Sequence, residues 1–276
     1  MKNILLAAAA LSAVSFASSA SAQATDWTGA YVGASVGYAD RSESKGETIG
    51  FDTNLDGTFG DTVRNAAGAD AFSTGFCPGS FNTNAAPGGC RNDDKTDVEV
   101  SLRGGYDYQF GQFVVGGVVE YSRLELQDAV TAFSITPAAY NFTRKLTDLW
   151  AVRARGGYAF GDSLIYATGG YAVGNMKHSF TTTNTVNAFP LRGGGDAKGY
   201  QLGVGFEHKL TDNISIGAEF LRTSLDDDDF GTRAANNGTT AATNPFLLVN
   251  PQGTDFLRTD DDFEFNSFKA TVSYRF

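Results

Sequence analysis

Two cysteines, two histidines, two methionines, two tryptophans and six prolines are all that 276 residues hold of these types. Two histidines and two cysteines cannot build the usual four-ligand zinc centre unless carboxylates fill in. Charge is also sparse: 19% of residues are Asp, Glu, Lys or Arg, and the net charge is −10. A chain of that sign lacks the basic patch that nucleic-acid phosphates require. No GxGxxG opens a helix, and GxxxxGK(S/T), GxSxG and HExxH are all missing, so no cofactor is expected. The longest apolar run, Ile4 to Phe16, is about 13 residues, short of the roughly 20 a spanning helix needs. It follows Lys2 and precedes the small-x-small signal Ala20-Ser21-Ala22. Residues 1–22 are therefore read as a secretory signal peptide and residues 23–276 as the folded chain.

What the chain has instead is 33 glycines, 22 phenylalanines, 11 tyrosines and a period of two. From Val98 to Phe110 the even positions are Val98, Val100, Leu102, Gly104, Tyr106, Tyr108 and Phe110; the odd ones include Glu99, Ser101, Arg103, Asp107 and Gln109. Such alternation marks a strand with two unlike neighbours. It recurs at Thr28–Tyr38, Phe113–Arg123, Leu149–Phe160, Leu164–Gly174, Gly199–Leu210, Ile214–Thr223 and Ser267–Phe276, with Leu164 and Tyr166 falling on the polar side of the fifth segment. Tight turns at Gly111-Gln112, Gly161-Asp162-Ser163 and Thr211-Asp212-Asn213 alternate with long connections near 41–96, 124–147, 175–198 and 224–262. Short turns at one end and long polar loops at the other are the pattern of an outer-membrane barrel. The expected fold is all-β: an eight-stranded antiparallel up-and-down transmembrane β-barrel with short periplasmic turns and long extracellular loops. A hairpin contributed by the first loop would make ten strands.

Alternation does not by itself say which face is inside, since a soluble lipocalin-type barrel has the opposite polarity. Glycines such as Gly33, Gly105, Gly116, Gly157, Gly203, Gly205 and Gly217 cluster on the polar face, where a crowded interior needs small residues and water does not. Aromatics (Tyr38, Tyr108, Phe110, Tyr121, Trp150, Tyr158, Phe160, Phe276) end the apolar segments, as interfacial girdles do. The polar face balances Asp97, Glu99, Asp107, Glu120, Glu207 and Glu219 against Arg103, Arg153, Arg155, Lys209, Lys269 and Arg275, and buried charges must pair. An inward network of Glu99, Arg103, Glu120, Arg153, Arg155, Glu207, Lys209, Glu219, Lys269 and Arg275 is expected to close the lumen.

The start Trp27-Thr28-Gly29-Ala30-Tyr31-Val32-Gly33-Ala34-Ser35-Val36-Gly37-Tyr38 resembles the first strand of the small opacity-type, OmpA-like outer-membrane proteins, including the "porin family" surface antigens of alphaproteobacteria. Tyr166-Ala167-Thr168-Gly169-Gly170-Tyr171-Ala172-Val173-Gly174 is similar to their fifth strand. Ala270-Thr271-Val272-Ser273-Tyr274-Arg275-Phe276 resembles the terminal strand, ending in Phe276, that barrel-assembly machinery recognises. The resemblance spans the folded chain, which departs from short-loop members in its long first and last loops. It implies residence in a Gram-negative outer membrane, among lipid and lipopolysaccharide.

Three sets of residues carry possible chemistry. Cys77 and Cys90 lie in the first loop of an exported chain, so a disulfide is expected. Asp226 to Asp229 and Asp260 to Asp262 flank the last loop, where a divalent cation could bridge them or water could simply solvate them. His178-Ser179 follows the fifth strand, but strand neighbours point to opposite faces and no third group is supplied. The expected role is structural and surface-interacting, without catalysis; the alternatives are a narrow pore for small solutes and a lipid A-modifying enzyme.

Overall fold

A computed structural model describes residues 26–41, 46–86, 88–91, 96–227 and 230–276. The expected signal peptide lies outside the described residues. Among them the eight expected segments are antiparallel strands: β1 (Gly29–Arg41), β2 (Asp97–Phe110), β3 (Phe113–Ser134), β4 (Ala138–Phe160), β5 (Ser163–Thr182), β6 (Ala197–Lys209), β7 (Ile214–Asp226) and β8 (Asp262–Arg275). Pairing runs β3-β2-β1-β8-β7-β6-β5-β4, and β3 also pairs with β4. A short ninth strand, Phe76–Pro78, joins the same sheet along the distal half of β3, with Phe76 opposite Ala132. The first loop thus adds an edge segment to the sheet, and no transmembrane-length hairpin is found among its described residues.

The period of two is physically expressed as two faces. Val32, Val36, Val100, Leu102, Val119, Val152, Tyr171, Leu202, Val204 and Phe268 are exposed, while the charged residues between them are buried and most of the glycines half-buried. Leu164 and Tyr166 are buried, and Ile165 and Tyr171 are exposed. The fifth strand therefore obeys the common facing, its two odd residues being inner-face packing. Two glycines of the inner wall have a specific use. A Cβ on Gly105 would meet the Tyr31 hydroxyl at 2.5 Å, and one on Gly205 would run into the Tyr166 ring. Their absence of side chain lets these two rings lie against the wall.

The connection expected as a loop at 124–147 is mostly strand. β3 and β4 run on to a three-residue turn at 135–137, pairing Ser134 with Ala138. Alternation fades there because both faces become buried from Asp128 to Ser134, so neither face needs to be polar. The remaining long connections also fold. Ile49–Asp52, Thr254–Arg258, Gly231–Asn236, Asn187–Ala188 and Leu191–Arg192 form a second, five-stranded sheet. A 3₁₀ turn, Pro245–Leu247, is capped by the Asn244 side chain. This cap encloses an aromatic core in which Phe51 stacks on Phe72 at 4.4 Å, and Phe256 meets Phe51, Phe246 and Tyr140 at 4.9, 5.2 and 5.6 Å between ring centroids. Cys77 and Cys90 are disulfide-bonded, with Cα atoms 6.0 Å apart. Phe133 and Ala139 of the long hairpin pack on Cys77.

Candidate functional site

The inner face of the sheet carries the concentration of chemistry. Starting near the cap end, Lys269 pairs with Glu99 at 2.5 Å and with Glu120 at 2.7 Å. Arg153 joins Glu120 at 3.3 Å to Glu219 at 3.4 Å. Arg103 links Glu219 at 3.6 Å to Glu207 at 3.3 Å. Arg155 links Glu207 at 2.8 Å to Asp107 at 3.0 Å, and Arg275 ends the series on Asp107 at 2.7 Å. Written in order, Glu99–Lys269–Glu120–Arg153–Glu219–Arg103–Glu207–Arg155–Asp107–Arg275 alternates in sign at every step. Every member is buried.

Neutral groups complete the ladder. Gln201 accepts from Arg153 at 2.6 Å, and Tyr166 donates to Glu219 at 3.1 Å. The Arg155 guanidinium lies 4.4 Å from the Tyr166 ring centroid and 5.1 Å from that of Tyr31. Nine of the ten residues expected inside are thereby brought together. Lys209 stands apart: its Nζ donates to the Asp26 carbonyl and lies 5.2 Å from the Trp27 ring, at the end formed by the tight turns. Asp107 is the inner acid that the expected network omitted. Its odd-numbered place beside Arg103 on β2 was the available signal. Asp97, by contrast, leaves the inner face and accepts from the Glu125 amide.

A second charge cluster, between the sheet and the cap, had no counterpart in the sequence reading. Asp128 pairs with Arg41 at 2.6 Å, Arg144 at 2.9 Å and Arg258. Arg144 also reaches Asp227 at 3.4 Å, and Arg258 pairs with Glu47. Burial pushes the Glu47 carboxyl up to about 7, against the opposing pull of Arg258. Burial also disfavours the Asp128 carboxylate, but Arg258, Arg144 and Arg41 outweigh it and hold that group below its ordinary range. The members come from β1, β3 and β4 and from the first and last connections, which no local pattern relates. Between the two charge clusters lies an apolar layer that includes Leu124, Leu126, Leu146, Leu149, Phe263 and Phe265.

His178 belongs to this junction. Its Nε2 is 2.7 Å from Asp227 Oδ1, and its ring stacks on Phe230 at 5.0 Å. Ser179 is exposed on the other face, so the two side chains diverge. The Asp260, Asp261 and Asp262 carboxylates lie within 4.8 Å of one another, and Asp226 is opposite Asp262 in the ladder. Asp228 and Asp229 lie outside the described residues. Phe276 donates its amide to the Ala30 carbonyl at 3.0 Å and leaves its ring exposed beside Tyr274.

A family model described as "Outer membrane protein beta-barrel domain" matches residues 6–276. The chain belongs to that family. It is 26% identical over 204 residues to the 31 kDa outer-membrane immunogenic proteins of Brucella melitensis and Brucella suis, covering 72% of this chain and 71% of each relative. Among solved structures it is similar to the outer membrane protein OprG from Pseudomonas aeruginosa, with 12% identity, a TM-score of 0.47, and coverage of 92% of this chain and 99% of that one. The protein is thus an outer-membrane β-barrel protein with a surface-antigen relative. Its exposed apolar wall faces lipid. Tyr108, Phe110, Phe113 and Tyr158 form one aromatic band near the tight turns, and Tyr38, Tyr121 and Trp150 another near the cap.

Proposed function

We propose that the eight long strands close into one barrel whose lumen is occluded, and that the protein serves the outer membrane structurally while presenting its folded cap to the outside. The alternating ladder carries this reading. Arg103 on β2 contacts Glu207 on β6, four places away in the pairing order and so across the full width of an eight-stranded ring. An interior of that size is just wide enough for side chains to fill. The Trp27 layer below, the Leu146–Phe265 layer above and the cap beyond support occlusion at both ends. The outward aim of Ser179, away from the Asp227-bound His178, leaves that pair without the neighbouring nucleophile a hydrolytic role would use. Display of the cap agrees with the relatives' description as immunogenic.

Single-channel recording on the refolded full-length folded chain in planar bilayers tests the reading. The expected result is insertion without a stable conductance. A large, steady conductance in the unmutated protein would overturn the occluded lumen in favour of a narrow pore.

A further inference from the structure

The connection between the cap strand Gly231–Asn236 and the 3₁₀ turn carries Asn237-Gly238, the one Asn-Gly pair in the chain. Both residues are exposed, and Gly238 holds a φ of 99°. That conformation suits glycine, and the missing side chain leaves the Gly238 nitrogen uncrowded. A Cβ there would meet nothing within 4 Å, so no packing shields the pair from solvent.

The hydrogen bonds around the pair are directional. The Asn237 side-chain oxygen accepts from the Thr239 amide at 2.9 Å and from the Thr239 hydroxyl at 3.0 Å. The Thr240 hydroxyl, 3.1 Å away, shares its proton between that oxygen and the Val186 carbonyl. These donors draw electrons from the Asn237 amide carbon and stand where negative charge would collect if a nucleophile added to it. The nucleophile at hand is the next main-chain nitrogen, since the Gly238 amide is polarised by donating to Asn236 Oδ1 at 2.7 Å. Holding both reactants in one turn makes the attack intramolecular. The exposed Asn54, Asn82 and Asn213 are followed instead by Leu55, Thr83 and Ile214, whose side chains crowd the corresponding nitrogen.

We propose that Asn237 is a self-modifying site of the cap, closing on Gly238 to a succinimide that water opens to aspartate or isoaspartate. Solvent hydroxide takes the Gly238 amide proton, and the nitrogen pair forms a bond to Asn237 Cγ. The carbonyl π pair moves onto Oδ1, facing the Thr239 donors, and returns as the Cγ–Nδ2 bond breaks. Nδ2 takes a proton from water and leaves as ammonia, which restores the hydroxide. Water then adds to either ring carbonyl, the bond from that carbonyl to the ring nitrogen breaks, and the nitrogen takes the proton. Opening at Cγ gives aspartate; opening at the main-chain carbonyl gives isoaspartate, with an extra carbon in the backbone. Either product sets a new carboxylate beside Asn236, which pairs with Asn187 in the cap sheet, so the cap surface changes with the age of the molecule.

The refolded full chain in lipid vesicles is incubated at mildly alkaline pH, and peptide mapping by mass spectrometry follows every asparagine. Asn237 is expected to convert first, with an isoaspartyl product, while Asn54, Asn82 and Asn213 stay intact over the same interval. Thr239→Val removes the hydroxyl but keeps the amide and should slow conversion about tenfold, as for loss of the weaker kind of hydrogen bond to a charged oxygen. Thr239→Ser should restore the rate, and Asn237→Gln, whose ring would be larger, should abolish conversion. Heat-modifiable migration reports that each variant is folded. An Asn237 that converts no faster than those three asparagines, or a Thr239→Val rate equal to the parent's, would overturn the proposal.

Discussion

The alternating ladder makes an asymmetric prediction about its two ends. Most inner members have a partner on either side, so removing one leaves each neighbour another opposite charge. Glu99 is different. It is fully buried, and Lys269 is its one cationic partner among the described residues. Lys269→Met therefore strands a buried carboxylate, while Glu120 keeps Arg153 at 3.3 Å. Breaking a buried pair in this way costs about 3–5 kcal/mol. Glu99→Gln removes the other member of the same contact but leaves Lys269 on Glu120 at 2.7 Å. Its cost is that of a charge-assisted hydrogen bond, about 1.5–3 kcal/mol. Adding Glu99→Gln to Lys269→Met should then recover stability, because the stranded charge is gone; coupling between touching residues runs to about 0.5–3 kcal/mol. Urea unfolding of the refolded proteins in lipid vesicles, followed by tryptophan fluorescence and extrapolated linearly, measures all three. A Lys269→Met variant no less stable than Glu99→Gln, or a double variant less stable than Lys269→Met alone, would refute the reasoning.

Other perturbations separate the layers. Phe256→Ala opens a hole in the aromatic core of the cap and should cost it about 3–5 kcal/mol, seen as protease sensitivity of the cap while heat-modifiable migration of the barrel persists. Gly205→Ala places a Cβ on the Tyr166 ring and should destabilise the barrel more than Gly156→Ala, whose Cβ would meet open space; urea midpoints compare them. The Glu47 carboxyl, raised by burial, binds its proton more tightly folded than unfolded, so cap stability should fall as pH rises from about 4.5 to about 7. Asp128, lowered by its arginines, should cost stability as pH falls below the ordinary carboxylate range; hydrogen exchange of cap amides against pH reads both, and Glu47→Gln should flatten the upper limb. Deleting Phe276 should reduce assembly in cells while leaving precursor detectable by immunoblot, and normal assembly would remove its role as a terminal signal.

The strands were legible because one face meets lipid and the other meets charge, which writes polarity into every second residue. Val98 to Phe110 shows it, and so does the inner placement of Glu99 and Arg103. Legibility ended where that contrast ended. From Asp128 to Ser134 both faces of β3 are covered, so Ala129, Val130, Thr131 and Ala132 carry no alternation to read. The cap sheet is assembled from strands of two to six residues, too short for any period to register. The one-residue register shift between Arg123 and Leu126 was hidden for a different reason: no pattern along one strand displays its offset against a neighbour. The partition of Lys209 away from the ladder likewise depends on Trp27, a contact made across the whole chain.

The cap's construction also fixes an order of events. Phe51, Phe256, Tyr140 and Phe72 are brought into one core from stretches that lie far apart along the chain, and only the pairing of the long strands gathers those stretches at one end. On the proposed orientation, the outward surface takes shape only as the long strands pair. Any antibody or receptor that reads this surface reads residues from several connections at once. Isolated loop peptides would present a different molecule, and even the disulfide-closed stretch from Cys77 would lose its pairing with β3.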